Sequence, residues 1–248
     1  MNKVFFIILS LLLTLWAEKR PSLTINSGFE KPETYLIQEV LAEVFKRAKI
    51  DLVYQNLPNK RSLINANRGL DDGDATRVLE ISNYYPNLRP VPVEDHKIEI
   101  MALTNKKIKL TDPSQLSNYH VGVIRGMKIA VLMGQKAKPK SLTLGTDSIQ
   151  LLKMLNSKRL DVVLINKSGL LAGLTKIVPE NLFLVKKPLL TRKLYLHLHK
   201  KNESHIPALQ KALQSMHDDG TYTKIQKEFY KTFDKKIKAW VTLITADE

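Results

Sequence analysis

Short apolar runs with strand character alternate with helical apolar patterns from residue 23 onward, and this alternation constrains the fold more than any other feature. In the first helical pattern, Leu36, Val40 and Val44 recur at helical spacing. The first third of the chain predicts strands over 23–26, 51–54 and 73–77 and helices over 32–48 and 61–67. This βαβαβ order predicts a mostly parallel sheet, whose ligands bind beyond the carboxyl ends of the strands.

The rest of the chain continues the same alternation. Predicted strands cover 98–103, 121–124, 141–144 and 160–165, with helices over 128–135 and 148–156 among them. Leu194, Leu196 and Leu198 then alternate with Tyr195, His197 and His199, which predicts a half-buried strand. Two helical stripes over 206–216 and 222–233, separated at Gly220, end the pattern. The sequence therefore predicts an α/β protein built from two lobes.

The N-terminus has the arrangement of a secretory signal. Lys3 precedes an apolar run over 4–15, and charged residues follow at 18–20. We expect cleavage after Ala17, so that residues 1–17 are a signal peptide. The mature chain then begins at Glu18, and we expect it in the periplasm. An uncleaved anchor is the alternative, although the run is shorter than the ~20 residues that a spanning helix needs.

Composition narrows the classes of function. The sequence contains no Cys, which excludes a disulfide framework, a lipid-modified cysteine anchor and thiol catalysis. The net charge is +15, but Lys and Arg are spread along the chain and form no basic arm. Because a nucleic-acid footprint is normally clustered, this distribution favours attraction of small anionic ligands, and we expect no nucleic-acid partner.

Several short motifs in a fixed order resemble a known family. They are residues 58–62 (PNKRS), 66–73 (ANRGLDDG) followed by Arg77, 85–88 (YPNL), 121–126 (VGVIRG), 152–161 (LKMLNSKRLD) and 219–222 (DGTY). Each motif alone is common, whereas their order and spacing together are specific. The mature chain resembles, over essentially its whole length, the bacterial extracellular solute-binding proteins of family 3, the amino-acid-type periplasmic binding proteins.

The resemblance implies the type 2 periplasmic binding fold, in which two Rossmann-like lobes are joined by two crossing strands. On this basis residues 18–103 begin lobe 1, residues 104–192 form lobe 2, and residues 193–248 return to lobe 1 with the C-terminal helices. The ligand of such a protein lies in the cleft between the lobes, which close about a hinge.

The resemblance also implies binding residues in lobe 1. An arginine after the third strand clamps the ligand carboxylate in this family, which implies that role for Arg77, because a guanidinium has a planar donor fork. The alternative is a surface ion pair with one of the nearby aspartates Asp71, Asp72 and Asp74. Arg61 either reaches the same cleft or lies at a solvated helix end, and Asn26 ends the first strand at the same edge.

In lobe 2, Gly126 precedes a helix whose first amides are suited to an anion. The family has Ser or Thr after this glycine, whereas here Met127 and Lys128 follow, and Lys128 offers a point charge in place of a hydroxyl. Thr146 and Asp147 begin a second helix near the cleft, where helix capping alone is the alternative to ligand contact.

One position departs from the family pattern. The resemblance places a carboxylate that pairs with the ligand ammonium just after the strand over 160–165, but this chain has Asn166 there. An amide accepts a hydrogen bond without supplying a charge, so amino acids, other carboxylates, small peptides and anionic metabolites all stay open as ligands.

Taken together, these features predict a periplasmic, monomeric solute-binding protein for a small, carboxylate-bearing solute, which it delivers to a membrane permease or a sensor receptor. We expect no cofactor, no catalytic residues and no metal site, because the sequence has no catalytic or phosphate-binding motif and His197 and His199 lack a third ligand at fixed spacing. A periplasmic enzyme on the same fold, such as a dehydratase acting on a small carboxylate, is the alternative. A divergent interaction module without a ligand is the third class.

Overall fold

The computed structural model describes residues 20–29, 31–177 and 181–244, and the expected signal peptide and its cleavage site lie outside these ranges. The α/β class is confirmed. The strands are β1 (Ser22–Ser27), β2 (Asp51–Asn56), β3 (Gly73–Arg77), β4 (Leu88–Thr104), β5 (His120–Ile124), β6 (Ser141–Gly145), β7 (Val162–Ile165), β8 (Leu182–Val185), β9 (Leu190–His199) and β10 (Val241–Ile244).

The α-helices are α1 (Glu33–Ala48), α2 (Asn59–Arg68), α3 (Lys128–Ala137), α4 (Ser148–Asn156), α5 (Lys167–Leu174), α6 (Ile206–Asp218) and α7 (Thr221–Trp240). Short 3₁₀ helices cover Leu79–Asn83, Pro113–Asn118 and Lys200–His205. Each predicted helix and strand has a counterpart here, although several boundaries move by a few residues.

Lobe 1 is built on a sheet with the strand order β2-β1-β3-β9-β4. β1 pairs in parallel with β2 and β3, whereas β9 runs antiparallel to β3 and β4. The apolar stripe of α1 packs on this sheet together with α6, in a core that contains Leu36, Val40, Phe45 and Leu213. The parallel part follows from the βαβαβ order, which needs a helical crossover between neighbouring strands.

Lobe 2 is built on a second sheet, ordered β4-β7-β5-β6, with β8 pairing the end of β4. β5 pairs in parallel with both β6 and β7. Apolar cores cover both faces of this sheet, as expected for a parallel sheet whose strands are uniformly apolar. β7 has the sequence VVLI, and all four of its residues are buried.

The connection between the lobes runs through β4. This strand pairs with β9 as far as Ile100 and with β7 from Met101 onward, so one strand belongs to both sheets. β9 returns along β4 from Leu190 to His199. The two crossing strands of the predicted fold are therefore present as one long antiparallel pair.

The C-terminal part of the chain differs from the expectation that all of 193–248 lies on lobe 1. The helix α6 packs on α1 in lobe 1, and α7 starts there through the buried Tyr222. The chain then crosses again, because β10 pairs in parallel with β8 of the second sheet and Val241 joins the lobe 2 core. The helix α7 thus connects the two lobes.

The expectation of a half-buried β9 is wrong. Leu194, Leu196 and Leu198 are buried as predicted, but His197 and His199 on the other face are buried as well. The reason is the position of β9 between β3 and β4 in the sheet, where α2 covers the second face. Gly69, just after α2, lies against the His199 ring.

Candidate functional site

Arg77 lies at the end of β3 with its guanidinium turned into the protein. Its Nε donates to Asp74 Oδ2 at 2.9 Å, its Nη2 donates to Asp74 Oδ1 at 3.2 Å, and its Nη1 donates to Asn59 Oδ1 at 2.6 Å. Both Arg77 and Asp74 are buried, so this is a buried ion pair and not the surface pair considered as the alternative. The clamp role stays a prediction, and a ligand carboxylate would have to compete with Asp74 for the donor fork.

The backbone of Thr76 explains how Arg77 reaches Asp74. Residues three apart in a regular strand point to opposite faces. Thr76 has a φ of 59°, a left-handed conformation that is rare for a β-branched residue, and the β3–β9 register shifts between Asp74 and Arg77. The Thr76 amide donates to Asp95 Oδ2 at 3.0 Å. This local bulge brings Arg77 back to the side of Asp74.

The other two predicted binding residues of lobe 1 differ in exposure, because one is buried and the other faces solvent. Asn26 is completely buried, and its Nδ2 donates to Asp71 Oδ2 at 2.8 Å, so a ligand has no access to its side chain in this conformation. Arg61 is exposed in the first turn of α2, and no ion pair of Arg61 is found among the described residues.

The predicted residues of lobe 2 follow three neighbouring strands at one edge of the second sheet. Gly126 and Lys128 follow β5, and the Arg125 amide donates to the Gly145 carbonyl at 2.9 Å, which ties this loop to the end of β6. The amides of Met127 and Lys128 donate to carbonyls within the loop. The exposed ammonium group of Lys128, together with the exposed guanidinium of Arg125, is therefore suited to an anion at this loop.

Thr146 and Asp147 cap the helix α4. Asp147 Oδ1 accepts the Gln150 amide at 2.8 Å, and Gln150 Oε1 accepts the Thr146 amide at 2.7 Å. These hydrogen bonds show the capping role. Both residues are also exposed, and contact with a ligand stays a prediction. A cap of this kind stabilises a helix by about 1 kcal/mol, which is reason enough for these residue types.

Asn166 lies beside a cavity of about 140 Å³ between the two lobes. Its Oδ1 accepts the Gly169 amide at 3.0 Å and so caps α5. The cavity is lined by residues of α1, the crossing strand β4, the start of α5, and α7: Glu33, Lys97, Ile98, Glu99, Asn166, Lys167, Gln226 and Tyr230. Asn166 is the one predicted site residue among them. The cavity thus brings charged groups of both lobes and of the crossing strand together.

A buried polar network forms the lobe 1 side of this cavity. Glu33 Oε1 lies 2.8 Å from His96 Nε2 and accepts a hydrogen bond from Tyr230 Oη at 2.9 Å. The His96 ring packs edge-on against Phe29, with 5.8 Å between the ring centroids. Asp95 is the residue before His96 in the chain. Burial raises the pKa of its carboxyl group to about 6, although the nearby imidazole of His96 acts to lower it.

Tyr230 connects the lobes. Its side chain packs against the apolar cores of both lobe 1 and lobe 2. Lys167 Nζ, at the start of α5, lies 4.7 Å from the centroid of its ring, within the range of a cation–π interaction. The hydroxyl of this residue contacts Glu33 in lobe 1, while its ring contacts lobe 2.

Sequence reasoning missed Glu33, His96 and Tyr230. Glu33 looks like an ordinary acidic residue at a helix start, and Tyr230 lies between the apolar positions of the predicted stripe. The signal available was the pair Asp95-His96, two titratable residues in succession within an alternating run that has strand character. The sequence gives no indication that Glu33 lies against His96, since 63 positions separate them.

The two histidines considered as metal ligands are held in the lobe 1 sheet. His197 Nδ1 donates to the Tyr195 carbonyl at 3.0 Å, and burial lowers the pKa of His197 to about 4, helped by the nearby charge of Arg77. Within the described ranges, no group of three or more His, Cys, Asp or Glu side chains is arranged to hold a metal ion.

No protein-family model and no curated protein matches the sequence. The structure is similar to a probable amino-acid ABC transporter extracellular-binding protein from Bacillus subtilis, with a TM-score of 0.70 and 16% identity over 85% of this chain and 98% of that one. It is also similar to an ancestral arginine-binding protein bound to arginine, with a TM-score of 0.60 and 16% identity over 85% and 99% of the two chains.

A third similar structure is a histidine kinase sensor domain with similarity to periplasmic binding proteins, which has a TM-score of 0.64 and 10% identity over 85% of this chain and 96% of that chain. These comparisons confirm the fold implied by the resemblance. The chain has the two-lobed fold of the type 2 periplasmic binding proteins. Among residues 20–29, 31–177 and 181–244, no helix is both long and apolar enough to cross a membrane.

Proposed function

We propose that this protein captures a small, carboxylate-bearing solute, an amino acid or a related metabolite, between its two lobes. It passes the bound solute to an ABC-type permease or reports it to a sensor receptor, and it acts as a monomer. The observation that carries the proposal is the cavity at the lobe junction, whose walls come from α1, α5, α7 and the crossing strand β4. The fold shared with extracellular binding proteins and a sensor domain supports the same role.

The charges in the cavity suit a small polar ligand. Lys97 and Lys167 offer two ammonium groups to a ligand carboxylate, and Glu33 and Glu99 offer two carboxylates. Asn166 and Gln226 add amides that both donate and accept hydrogen bonds. A mostly charged and amide-lined cavity of this size favours a hydrophilic metabolite over an apolar one.

A thermal-shift screen of the purified chain against amino acids, dicarboxylates and other small anions tests the proposal. A ligand present at about 100 times its Kd stabilises the folded state by about 2.7 kcal/mol, so a true ligand raises the melting temperature, and the shift grows with the logarithm of the ligand concentration. The ligand recovered after incubation should be chemically unchanged. Conversion of a bound carboxylate would instead support the enzyme alternative, and a screen without any shift would contradict solute capture.

We also propose that the protein works in the periplasm, as its resemblance and the apolar run over 4–15 indicate. Expressed in a Gram-negative host, it should be released by osmotic shock with Glu18 as its first residue. Recovery with the membranes at full length would contradict export with cleavage.

A further inference from the structure

Glu33 is a buried carboxylate, and only one of its two oxygens has hydrogen-bond partners among the described residues. Its side chain is 6% exposed, and it lines the cavity at the lobe junction. Oε1 contacts both His96 Nε2 and Tyr230 Oη, whereas Oε2 has no hydrogen-bond partner among the described residues. A buried carboxylate oxygen without a donor is unfavourable, because the water that it lost has not been replaced. A donor brought by a ligand would therefore be stabilised at this point.

The surroundings of Glu33 carry an excess of negative charge. Asp95 is also buried, its Oδ2 accepts the Thr76 amide, and its Oδ1 has no hydrogen-bond partner within the described ranges. Of these two buried carboxylates only Glu33 contacts the His96 imidazole, since the Nδ1 of this ring has no hydrogen-bond partner within the described ranges. The crossing strand adds the carboxylate of Glu99 and the ammonium group of Lys97 to the cavity wall, and this ammonium group already pairs with Glu94 at 3.4 Å. The lobe 1 side of the cavity is consequently suited to a cation.

The lobe 2 side has the opposite character. Asn166 caps α5 without any charge, and Lys167 places an ammonium group over the ring of Tyr230 at the start of the same helix. A helix N-terminus carries a partial positive charge, which adds to that of the lysine. The cavity therefore has a negative end at α1 and a positive end at α5.

We propose that Glu33 binds the ammonium group of a zwitterionic ligand, while the ligand carboxylate points toward Lys167 and the start of α5. This inference rests on the proposed function. It assigns the ammonium contact to lobe 1, because lobe 2 has the uncharged Asn166 at the position where the resemblance implies a carboxylate. The cavity volume of about 140 Å³ suits a ligand of about six non-hydrogen atoms, since an engineered cavity of ~150 Å³ holds benzene. L-Alanine has this size and both charges.

Calorimetry with matched pairs of compounds tests the inference on the unaltered protein. Each pair consists of an amino acid and the same acid without its amine: L-alanine with propionate, L-aspartate with succinate, and L-arginine with 5-guanidinovalerate. At least one amino acid should bind, and it should bind 10-fold or more tightly than its amine-free partner. Equal or tighter binding of the amine-free acids would overturn the inference and leave solute capture intact, whereas no binding of either class would contradict both.

The substitution Glu33→Gln tests the residue itself. The glutamine keeps an acceptor for His96 and Tyr230 but removes the charge, so the affinity for the amino acid should fall at least 10-fold while that for the amine-free acid stays the same or rises. Glu39→Gln is the matched control, because Glu39 lies on the same helix, is exposed and changes the net charge equally. Circular dichroism and melting curves establish that both variants are folded. An unchanged affinity of folded Glu33→Gln for the amino acid would overturn the assignment.

Discussion

The two lobes present the ends of their strands to the cleft in opposite ways. In lobe 1, the polar residues at the strand ends are buried and bonded to one another, as Arg77 is to Asp74 and Asn26 is to Asp71. In lobe 2, Lys128 is exposed and a Cβ added to Gly126 would meet no atom within 4 Å. A charged residue at a strand end is therefore available to a ligand only if the protein has not already neutralised it.

Because of this contrast, we expect the charged groups that contact a ligand to lie at helix starts and not at the strand ends of lobe 1. Glu33 begins α1 and Lys167 begins α5, and both line the cavity. If the contrast is correct, changes at the lobe 1 strand ends should mainly affect stability, and equivalent changes in lobe 2 should leave stability nearly unchanged.

Removal of Arg77 should have the largest effect. Arg77→Ala leaves the buried Asp74 carboxylate without its ion-pair partner, and breaking a buried pair in this way costs about 3–5 kcal/mol. Denaturant unfolding of both proteins measures the loss. Arg61→Ala is the control, since the exposed Arg61 should change the free energy of unfolding by less than about 0.5 kcal/mol.

The same variant separates the structural role from the predicted clamp. If folded Arg77→Ala also loses ligand affinity at least tenfold, the clamp prediction is supported. A loss of affinity without any loss of stability would contradict the buried ion pair, because a buried Asp74 carboxylate without its partner should destabilise the folded state.

His197 should make the lobe 1 sheet sensitive to acid. Its pKa is lowered to about 4 in the folded protein by burial and the charge of Arg77, whereas the unfolded chain binds the proton below its ordinary value of 6.5. The unfolded state thus binds more protons between pH 6.5 and 4, and stability should fall by about 3 kcal/mol across that window. The variant His197→Leu should flatten this part of the pH profile of the unfolding free energy.

The exposed His120 of lobe 2 is the matched control for this measurement. The difference between the profiles of His197→Leu and His120→Asn then measures the contribution of His197. A His197→Leu profile as steep as that of the unaltered protein would show that other groups cause the acid sensitivity.

Two glycines that follow the first strand of each pair, Gly28 after β1 and Gly126 after β5, should show the smallest difference in stability between the lobes. Gly28 follows β1, and a Cβ there would lie 2.6 Å from Asn59 Cα and 3.0 Å from Arg77 Nη2, while Gly126 follows β5 with open space around it. Gly28→Ala should destabilise the protein by about 1–3 kcal/mol through overpacking. Gly126→Ala should change stability by less than about 0.5 kcal/mol, and equal effects of both substitutions on thermal unfolding would argue against the contrast between the lobes.

Much of the fold could be predicted from the sequence, because apolar periodicity decides where strands and helices form. The missed part of β4 contains Pro90 and Pro92, which argue against a strand, and the structure places them at a register shift where a regular ladder is not needed. The short helix α5 was missed because Gly169 and Gly173 weaken its pattern. A Cβ at Gly173 would lie 2.5 Å from Leu152 Cδ1, so this glycine permits close packing of α5 on α4.

The site was harder to predict, since it depends on contacts between distant parts of the chain. The resemblance implies that Asn166 lies at the cleft, and Asn166 lines the cavity between the lobes. The inward turn of Arg77 depends on the left-handed Thr76, which no residue pattern indicates. The crossing of α7 to lobe 2, which brings Tyr230 to Glu33, depends on the pairing of β10 with β8.

The distance between the lobes with and without ligand tests the central claim most directly. The sequence contains no Cys, so Lys60→Cys on α2 and Lys136→Cys on α3 place one spin label in each lobe, both at exposed positions. Electron spin resonance then measures the distance distribution between the labels. On addition of the tightest ligand from the thermal-shift screen, the distribution should shift to shorter distances as the lobes close about the crossing strands. An unchanged distribution at saturating ligand would contradict capture of a solute between two closing lobes.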